Sequence, residues 1–178
     1  MAVGFLVPVV ELLTRRELER HDTLRRLGPD PLAAAFDDGG AAEIARRIRA
    51  HGRDAIGDTL LNQRVVAGIG NVLRSEILFL AAVDPARAGS SLSDAELTQV
   101  IDTAHDLLAA NVMTRQQTIS PSVGRRTTRS LDPGQKLWVY GRGGRPCRRC
   151  GTEILSAKTG PDARIVYWCP GCQTRHGR

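Results

Sequence analysis

Four cysteines near the C-terminus constrain this chain more than any other feature. They fall as Cys147-x2-Cys150, eighteen intervening residues, then Cys169-x2-Cys172. A Cys-x2-Cys pair closes a tight knuckle that aims two thiolates at one point, and two knuckles supply the four soft ligands that tetrahedral zinc prefers. Between them, Glu153-Ile154-Leu155 and Ile165-Val166-Tyr167-Trp168 read as short strands joined by a turn at Thr159-Gly160-Pro161-Asp162. The expectation is a zinc-ribbon β-hairpin in which Cys147, Cys150, Cys169 and Cys172 hold one zinc. Four thiolates leave no position for water or substrate, so that zinc is structural. So short a segment buries little core, and metal binding in small finger peptides supplies on the order of 10 kcal/mol of folding free energy. Two disulfides or a redox pair are the alternative, and they fit an intracellular-looking chain poorly.

The charge is distributed as unevenly as the cysteines. Residues 114–178 hold 13 Lys and Arg against 3 Asp and Glu, a balance of +10, whereas residues 1–113 hold 12 against 16, a balance of −4. Cations gathered around a metal ribbon attract polyphosphates, of which nucleic acid is the commonest. A merely solvated basic tail is the plainer alternative. No run approaches the ~18–20 uninterrupted apolar residues of a membrane helix. The apolar start, Ala2 to Val10, has neither a basic lead nor a small-residue cleavage site. We therefore expect a monomer in the cytoplasm, associated with the nucleoid and not with a membrane.

Aromatic residues make up only 4% of the chain, so a core of Leu, Ile, Val and Ala points to packed helices. Residues 1–27 combine a short apolar strand with a polar stretch, Thr14 to Arg20, that has no apolar stripe of its own. Leu27-Gly28-Pro29-Asp30-Pro31-Leu32 is a turn-rich boundary. Ile44 and Ile48 mark a helix over 41–51, and Gly52 lies just past its end. Asp54 is placed to cap a second helix with Ile56, Leu60 and Leu61 on its apolar side. Val72, Leu73, Ile77, Leu80 and Ala81 mark a third, closed by Asp84-Pro85. A fourth opens with Ser93 and Glu96 in capping-box spacing and continues through Leu97, Val100, Ile101, Ala104, Leu107, Leu108 and Val112. Residues 114–135 read as an exposed loop, and Leu137-Trp138-Val139-Tyr140 returns to β-type residues before the first cysteine.

Between the second and third helices lies Gly68-Ile69-Gly70-Asn71. The glycines permit the backbone angles of two tight turns. Asn71 falls at a helix start, where free N–H groups favour an anion such as phosphate and its own amide adds a donor. That Asn71 merely caps the helix fits the spacing equally well.

The stretch Leu61-Asn62-Gln63-Arg64-Val65-Val66-Ala67-Gly68-Ile69-Gly70-Asn71 resembles the helix–two-turns–helix segment of the formamidopyrimidine-DNA glycosylase and endonuclease VIII family. Val139-Tyr140-Gly141-Arg142-Gly143-Gly144-Arg145-Pro146-Cys147-Arg148-Arg149-Cys150-Gly151 is similar to the approach to that family's zinc finger. Arg164-Ile165-Val166-Tyr167-Trp168-Cys169-Pro170-Gly171-Cys172-Gln173 is similar to its end. The matches run in order over residues 28–173, and within the family the chain is most similar to the actinobacterial-style endonuclease VIII branch. The resemblance implies a mainly α fold: a helix–two-turns–helix bundle over 28–131, then a zinc-finger domain over 132–178. It implies a base-excision-repair protein of the bifunctional DNA glycosylase and AP lyase type, bound to double-stranded DNA with an oxidised base or abasic site. Gly70 and Asn71 would hold a phosphate beside the flipped nucleotide, Tyr140 a neighbouring phosphate, and Arg164 the phosphates flanking the lesion. Flipping a base bends the backbone sharply, which calls for a grip on both sides of the kink.

The family's chemistry sits directly after its initiating Met, as a proline amine and a glutamate. Here those positions are Ala2 and Val3. Residues 1–27 accordingly read as the remnant of an N-terminal β-sandwich domain. No catalytic residue is assigned, and the isolated chain is expected to be inactive. A non-catalytic zinc-ribbon DNA-binding module is the alternative reading.

Overall fold

The computed structural model describes residues 11–111, 126–128, 130 and 132–173. The strand expected within 1–10 and most of the loop expected over 114–135 lie outside those residues. The described part is rich in helix: α1 (Arg15–Arg20), α2 (Asp22–Arg25), α3 (Ala41–Ala50), α4 (Ile56–Thr59), α5 (Asn71–Leu80) and α6 (Asp94–Asn111). A single two-stranded antiparallel sheet follows, β1 (Leu155–Thr159) against β2 (Arg164–Trp168). No helix among these residues is long and apolar enough to cross a membrane.

Most of the apolar spacing read from the sequence is buried; Leu61 and Val72 are only half-buried, and Val112 lies outside the described residues. Ile44 and Ile48 of α3, Ile56 and Leu60 around α4, Leu73, Ile77 and Leu78 of α5, and Leu97, Val100, Ile101, Ala104 and Leu107 of α6 form one core. Each fully buried Ile or Leu contributes about 1.5–3 kcal/mol of transfer free energy. The capping box of α6 is present: Ser93 N donates to Glu96 Oε2 at 2.8 Å and Glu96 N donates to Ser93 Oγ at 3.2 Å. A second one explains why the stretch without an apolar stripe is helical at all. Thr14 N donates to Glu17 Oε2 at 2.8 Å, Glu17 N donates to Thr14 Oγ1 at 3.3 Å, and the helix they open, α1, buries no residue.

Three expectations need correcting. Asp54 does not cap α4; the cap is Ala55, with no side-chain bond. The first amides of α4 are satisfied instead by a distant loop, Ile56 N donating to Arg87 O at 2.7 Å and Gly57 N to Pro85 O at 3.0 Å. With those donors already taken, no capping oxygen is required, and Asp54 Oδ2 lies 3.2 Å from His51 Nδ1. Leu137 to Tyr140 forms no strand, because the amides of Trp138, Val139 and Tyr140 are taken by a carboxylate described below. Strand β1 starts at Leu155 and not at Glu153, since Glu153 bridges back to Pro146 and Ile154 N donates to Arg145 O at 2.9 Å.

The hairpin register runs from Leu155↔Trp168 to Thr159↔Arg164. Residues 160–163 form the turn, where Gly160 and Ala163 take left-handed φ of +68° and +49°. A smaller apolar cluster, made of Phe79, Val139, Cys147, Ile154 and Cys169, joins the far end of α5 to the cysteine knuckles. Gln173, 1% exposed, closes the same junction. Its Oε1 accepts from Cys169 N and its Nε2 donates to Val83 O, both at 2.8 Å.

Candidate nucleic-acid interface and metal centre

Helix α5 organises everything that follows, because it buries two chemically different faces. Leu73, Ile77 and Leu78 face the apolar core, while Arg74, Ser75 and Glu76, each 0% exposed, face the hairpin and the loop before it. Burying charged groups is costly unless each is bonded, and both of these are, save for the Nε of Arg74. Glu76 Oε1 accepts from Val139 N at 2.8 Å and from Tyr140 N at 2.9 Å. Its Oε2 accepts from Trp138 N at 2.8 Å and from the Thr127 hydroxyl. One carboxylate thus substitutes for a strand partner along residues 138–140.

Arg74, two residues earlier in the helix, faces the hairpin turn and the start of α5. Its Nη1 donates to Asp58 Oδ1 at 3.0 Å, Thr159 Oγ1 at 3.2 Å and Gly57 O at 3.4 Å. Its Nη2 donates to Asn71 Oδ1 at 2.6 Å and Arg164 O at 3.3 Å. Burial pulls the Arg74 pKa below the usual arginine range and Arg164 pulls it the same way, while Asp58 and Tyr140 push it back up. Ser75 Oγ accepts from Tyr167 N at 3.3 Å, so the amide edge of β2 is fastened along the helix as well.

Of the four residues singled out for phosphate contact, Gly70, Asn71 and the backbone of Arg164 lie at the start of α5, and Tyr140 is fastened farther along it, at Glu76. Gly70 is the N-cap of α5, and its carbonyl accepts the first helical bond from Arg74 N at 2.9 Å. Its φ of −102° is ordinary, so of the two turn glycines only Gly68, at +86°, requires the left-handed region. A Cβ at Gly70 would meet no protein atom within 4 Å. Asn71 is the first helical residue and not the cap, and its Nδ2 donates to Ile165 O at 3.1 Å. Arg164 opens β2 with its side chain 55% exposed and 3.5 Å from Asp162 Oδ2. Tyr140 is half-buried, its backbone held by Glu76 and its ring edge-on to Tyr167 at 5.1 Å. A cleft of about 440 Å3 beside the hairpin turn is lined by Asp54, Asp58 and Asp162 as well as Arg164. Those carboxylates disfavour an anion there.

The cysteines converge. All four Sγ atoms lie within 4.8 Å of one another, with Cys147–Cys172 at 3.9 Å and Cys150–Cys169 at 3.4 Å. Four sulfurs about 2.3 Å from a central ion in tetrahedral geometry sit about 3.8 Å apart, so the donor set fits a thiolate-bound metal. Burial and the neighbouring sulfurs push the Cys169 and Cys172 thiols up, whereas Thr152 pulls the exposed Cys150 thiol down to about 6. A divalent cation at the centre offsets that cost by replacing protons.

Sequence reasoning missed Arg74, Ser75, Glu76, Asp58 and Gln173. The signal for three of them was present: Arg74-Ser75-Glu76 is a polar triplet inside an otherwise apolar helix, between Leu73 and Ile77. Its partners, from Asn71 three residues away to Tyr167 ninety-two residues away, could not be read from spacing.

Helices α4 and α5, joined by turns and followed by a four-cysteine hairpin, form the arrangement that the resemblance to the DNA glycosylase family implies. Residues 27–122 match the family model described as the formamidopyrimidine-DNA glycosylase H2TH domain, and the chain belongs to that family. The probable endonuclease 8 2 of Streptomyces coelicolor is 38% identical over 174 residues, covering 97% of this chain and 58% of the relative. The DNA-(apurinic or apyrimidinic site) lyase Nei2 of Mycolicibacterium smegmatis is 36% identical, covering 97% and 62%. The chain therefore spans about six tenths of the length of these relatives. Among solved structures, Lactococcus lactis Fpg in complex with abasic-site DNA superposes with a TM-score of 0.72 at 26% identity, covering 91% of this chain and 57% of that one. Thermus thermophilus MutM (Fpg) gives 0.69 at 31% identity, covering 90% and 59%.

Proposed function

We propose that this chain holds damaged duplex DNA for base-excision repair, gripping the bent backbone with Gly70, Asn71, Tyr140 and Arg164, and that zinc on Cys147, Cys150, Cys169 and Cys172 fixes the hairpin that carries Arg164. The observation that supports this most is that Asn71 and the backbone of Arg164 meet at buried Arg74 near the start of α5, while Tyr140 is fastened to Glu76 two residues farther along the same helix. An exposed helix N-terminus, a side-chain amide and a guanidinium form the donor set that phosphate recognition uses. The relatives named as an abasic-site lyase and an endonuclease, and Fpg bound to abasic-site DNA, support oxidised-base or abasic DNA as the ligand. Zinc is favoured by the four-thiolate set and its sulfur spacing. A cytoplasmic, nucleoid-associated location belongs to the same reading. The excision and nicking chemistry is assigned to no residue of this structure.

The test is affinity for a duplex with one abasic analogue, measured across a salt series. Binding should weaken steeply with salt, as phosphate-dominated binding does. Asn71→Ala and Arg164→Ala should each weaken it by roughly ten- to a hundredfold, the loss of one charge-assisted hydrogen bond. Salt-independent binding, or unchanged affinity in both variants, overturns the reading. Borohydride added to the same mixture separates holding from cutting, because a covalent adduct forms only if the chain itself makes an imine.

A further inference from the structure

We propose that Arg74 is a positioning residue that locks the side-chain amide of Asn71 in one orientation, with its NH2 end presented for phosphate and its oxygen turned inward. This rests on the phosphate-holding reading of Asn71 given above. A side-chain amide has one accepting end and one donating end of nearly the same shape, and only its surroundings decide which way it faces. A phosphate accepts hydrogen bonds and donates none at neutral pH. A reversed Asn71 would therefore present an oxygen to an anion, and the contact would become a repulsion.

Both ends of the Asn71 amide are specified here. At the inner end, Arg74 Nη2 donates to Oδ1 at 2.6 Å. A guanidinium has five donors and no acceptor, so reversal would set N–H against N–H. At the hairpin end, Nδ2 donates to Ile165 O at 3.1 Å, and reversal would set oxygen against oxygen. Nδ2 carries two hydrogens, and Ile165 takes one, which leaves the second for a ligand.

Arg74 is itself immobilised. Its side chain is 0% exposed and held from the far side by Asp58, Thr159 and Gly57 O. It therefore reaches no ligand directly and acts through Asn71. The residue type matters for geometry. One fork of the guanidinium faces Asp58 and the other faces Asn71 and Arg164 O, a division a single ammonium cannot reproduce. The same fork also ties Asn71 to the backbone of Arg164, so two of the phosphate-directed residues take their relative placement from one buried cation.

Arg74→Lys keeps a positive charge opposite Asp58 and removes the second fork. The primary readout is the Asn71 side-chain NH2 signal of 15N-labelled, DNA-free protein. The wild type should show a single orientation with one hydrogen protected from exchange. In Arg74→Lys, at unchanged metal content and helicity, that signal should move and lose its protection. Affinity for the abasic duplex should fall by roughly five- to tenfold, and Arg74→Lys should cause a clearly smaller loss in an Asn71→Ala background, the remainder coming through Arg164. An Asn71 signal indifferent to Arg74→Lys overturns the proposal, as does an equal loss of affinity in the Asn71→Ala background, which would mark a merely structural arginine. If Arg74→Lys does not fold, the wild type alone decides: an Asn71 amide that averages over both orientations overturns it. Should Asn71→Ala bind DNA as the wild type does, the phosphate reading fails while the DNA-free amide signal still reports on Arg74.

Discussion

Glu76 offers a quantitative test of how the hairpin is held. It is wholly buried and accepts from three consecutive amides, those of Trp138, Val139 and Tyr140, and from the Thr127 hydroxyl. Replacing it with Ala strands three backbone donors in a site closed to water. Each orphaned donor costs about 1–3 kcal/mol, and removing the buried charge gives part of that back. The net expectation is about 3–5 kcal/mol, which for a chain of this size lowers Tm by about 10 °C. Glu76→Gln is the sharper variant, because its one oxygen serves either the Val139–Tyr140 pair or the Trp138–Thr127 pair, and its NH2 then confronts the other donors. It should lose about half as much, about 2 kcal/mol. Urea unfolding followed by tryptophan fluorescence measures both, Trp138 lying directly on the affected loop. The reasoning is refuted if Glu76→Gln is as stable as the wild type, or if Glu76→Ala costs less than about 1 kcal/mol, since either result would mean that water satisfies those amides.

Two further outcomes follow from other parts of the molecule. Removing the metal with a strong chelator should abolish the near-ultraviolet signal of Tyr167 and Trp168 beside the cysteines while α3 and α6, whose core includes no cysteine, keep their far-ultraviolet signal; an unchanged near-ultraviolet spectrum would count against a metal-held hairpin. Glu96 accepts from Arg87 Nη1 at 2.5 Å and Nη2 at 3.0 Å, which holds its carboxyl at about 2 against an ordinary 4.5. A depressed carboxylate pKa stabilises the fold in full above about 4.5 and is lost as pH falls toward 2. After allowance for solvent screening the amount is on the order of 1–2 kcal/mol. Tm should drop between pH 5 and 2.5 less steeply in Glu96→Gln than in the wild type, and equal slopes would refute the assignment.

What could be read in the sequence was local. The Ser93–Glu96 box, the Ile44–Ile48 spacing and the cysteine knuckles each depend on residues within one turn or one knuckle, and each is where it was expected. The second box, Thr14–Glu17, is equally local, but the helix it opens has no apolar stripe to mark it. Expectations failed where a distant group supplied what a neighbour usually does. The amides of α4 are taken by the 85–87 loop, so Asp54 was never needed as a cap. The β-type run Leu137–Tyr140 pairs with one carboxylate and not with a strand. The residues proposed to contact phosphate stand in a pattern of types, but the buried charges beside them were not legible, since a polar triplet in a helix is ordinarily a solvated face.

Gln173 carries a consequence for modularity. Metal ribbons are often treated as cassettes, units that can be cut from one chain and spliced into another because the ion alone shapes them. Here the amide of one cysteine and a carbonyl beyond the end of α5 share a single carboxamide, wholly out of water. Excised from its helices, the ribbon would expose half of that carboxamide, and transplanted onto a foreign surface it would bury a donor with nothing to receive it. Ribbon and helix bundle are in that sense one inheritance, and substitutions on either side of the junction must be accepted by both.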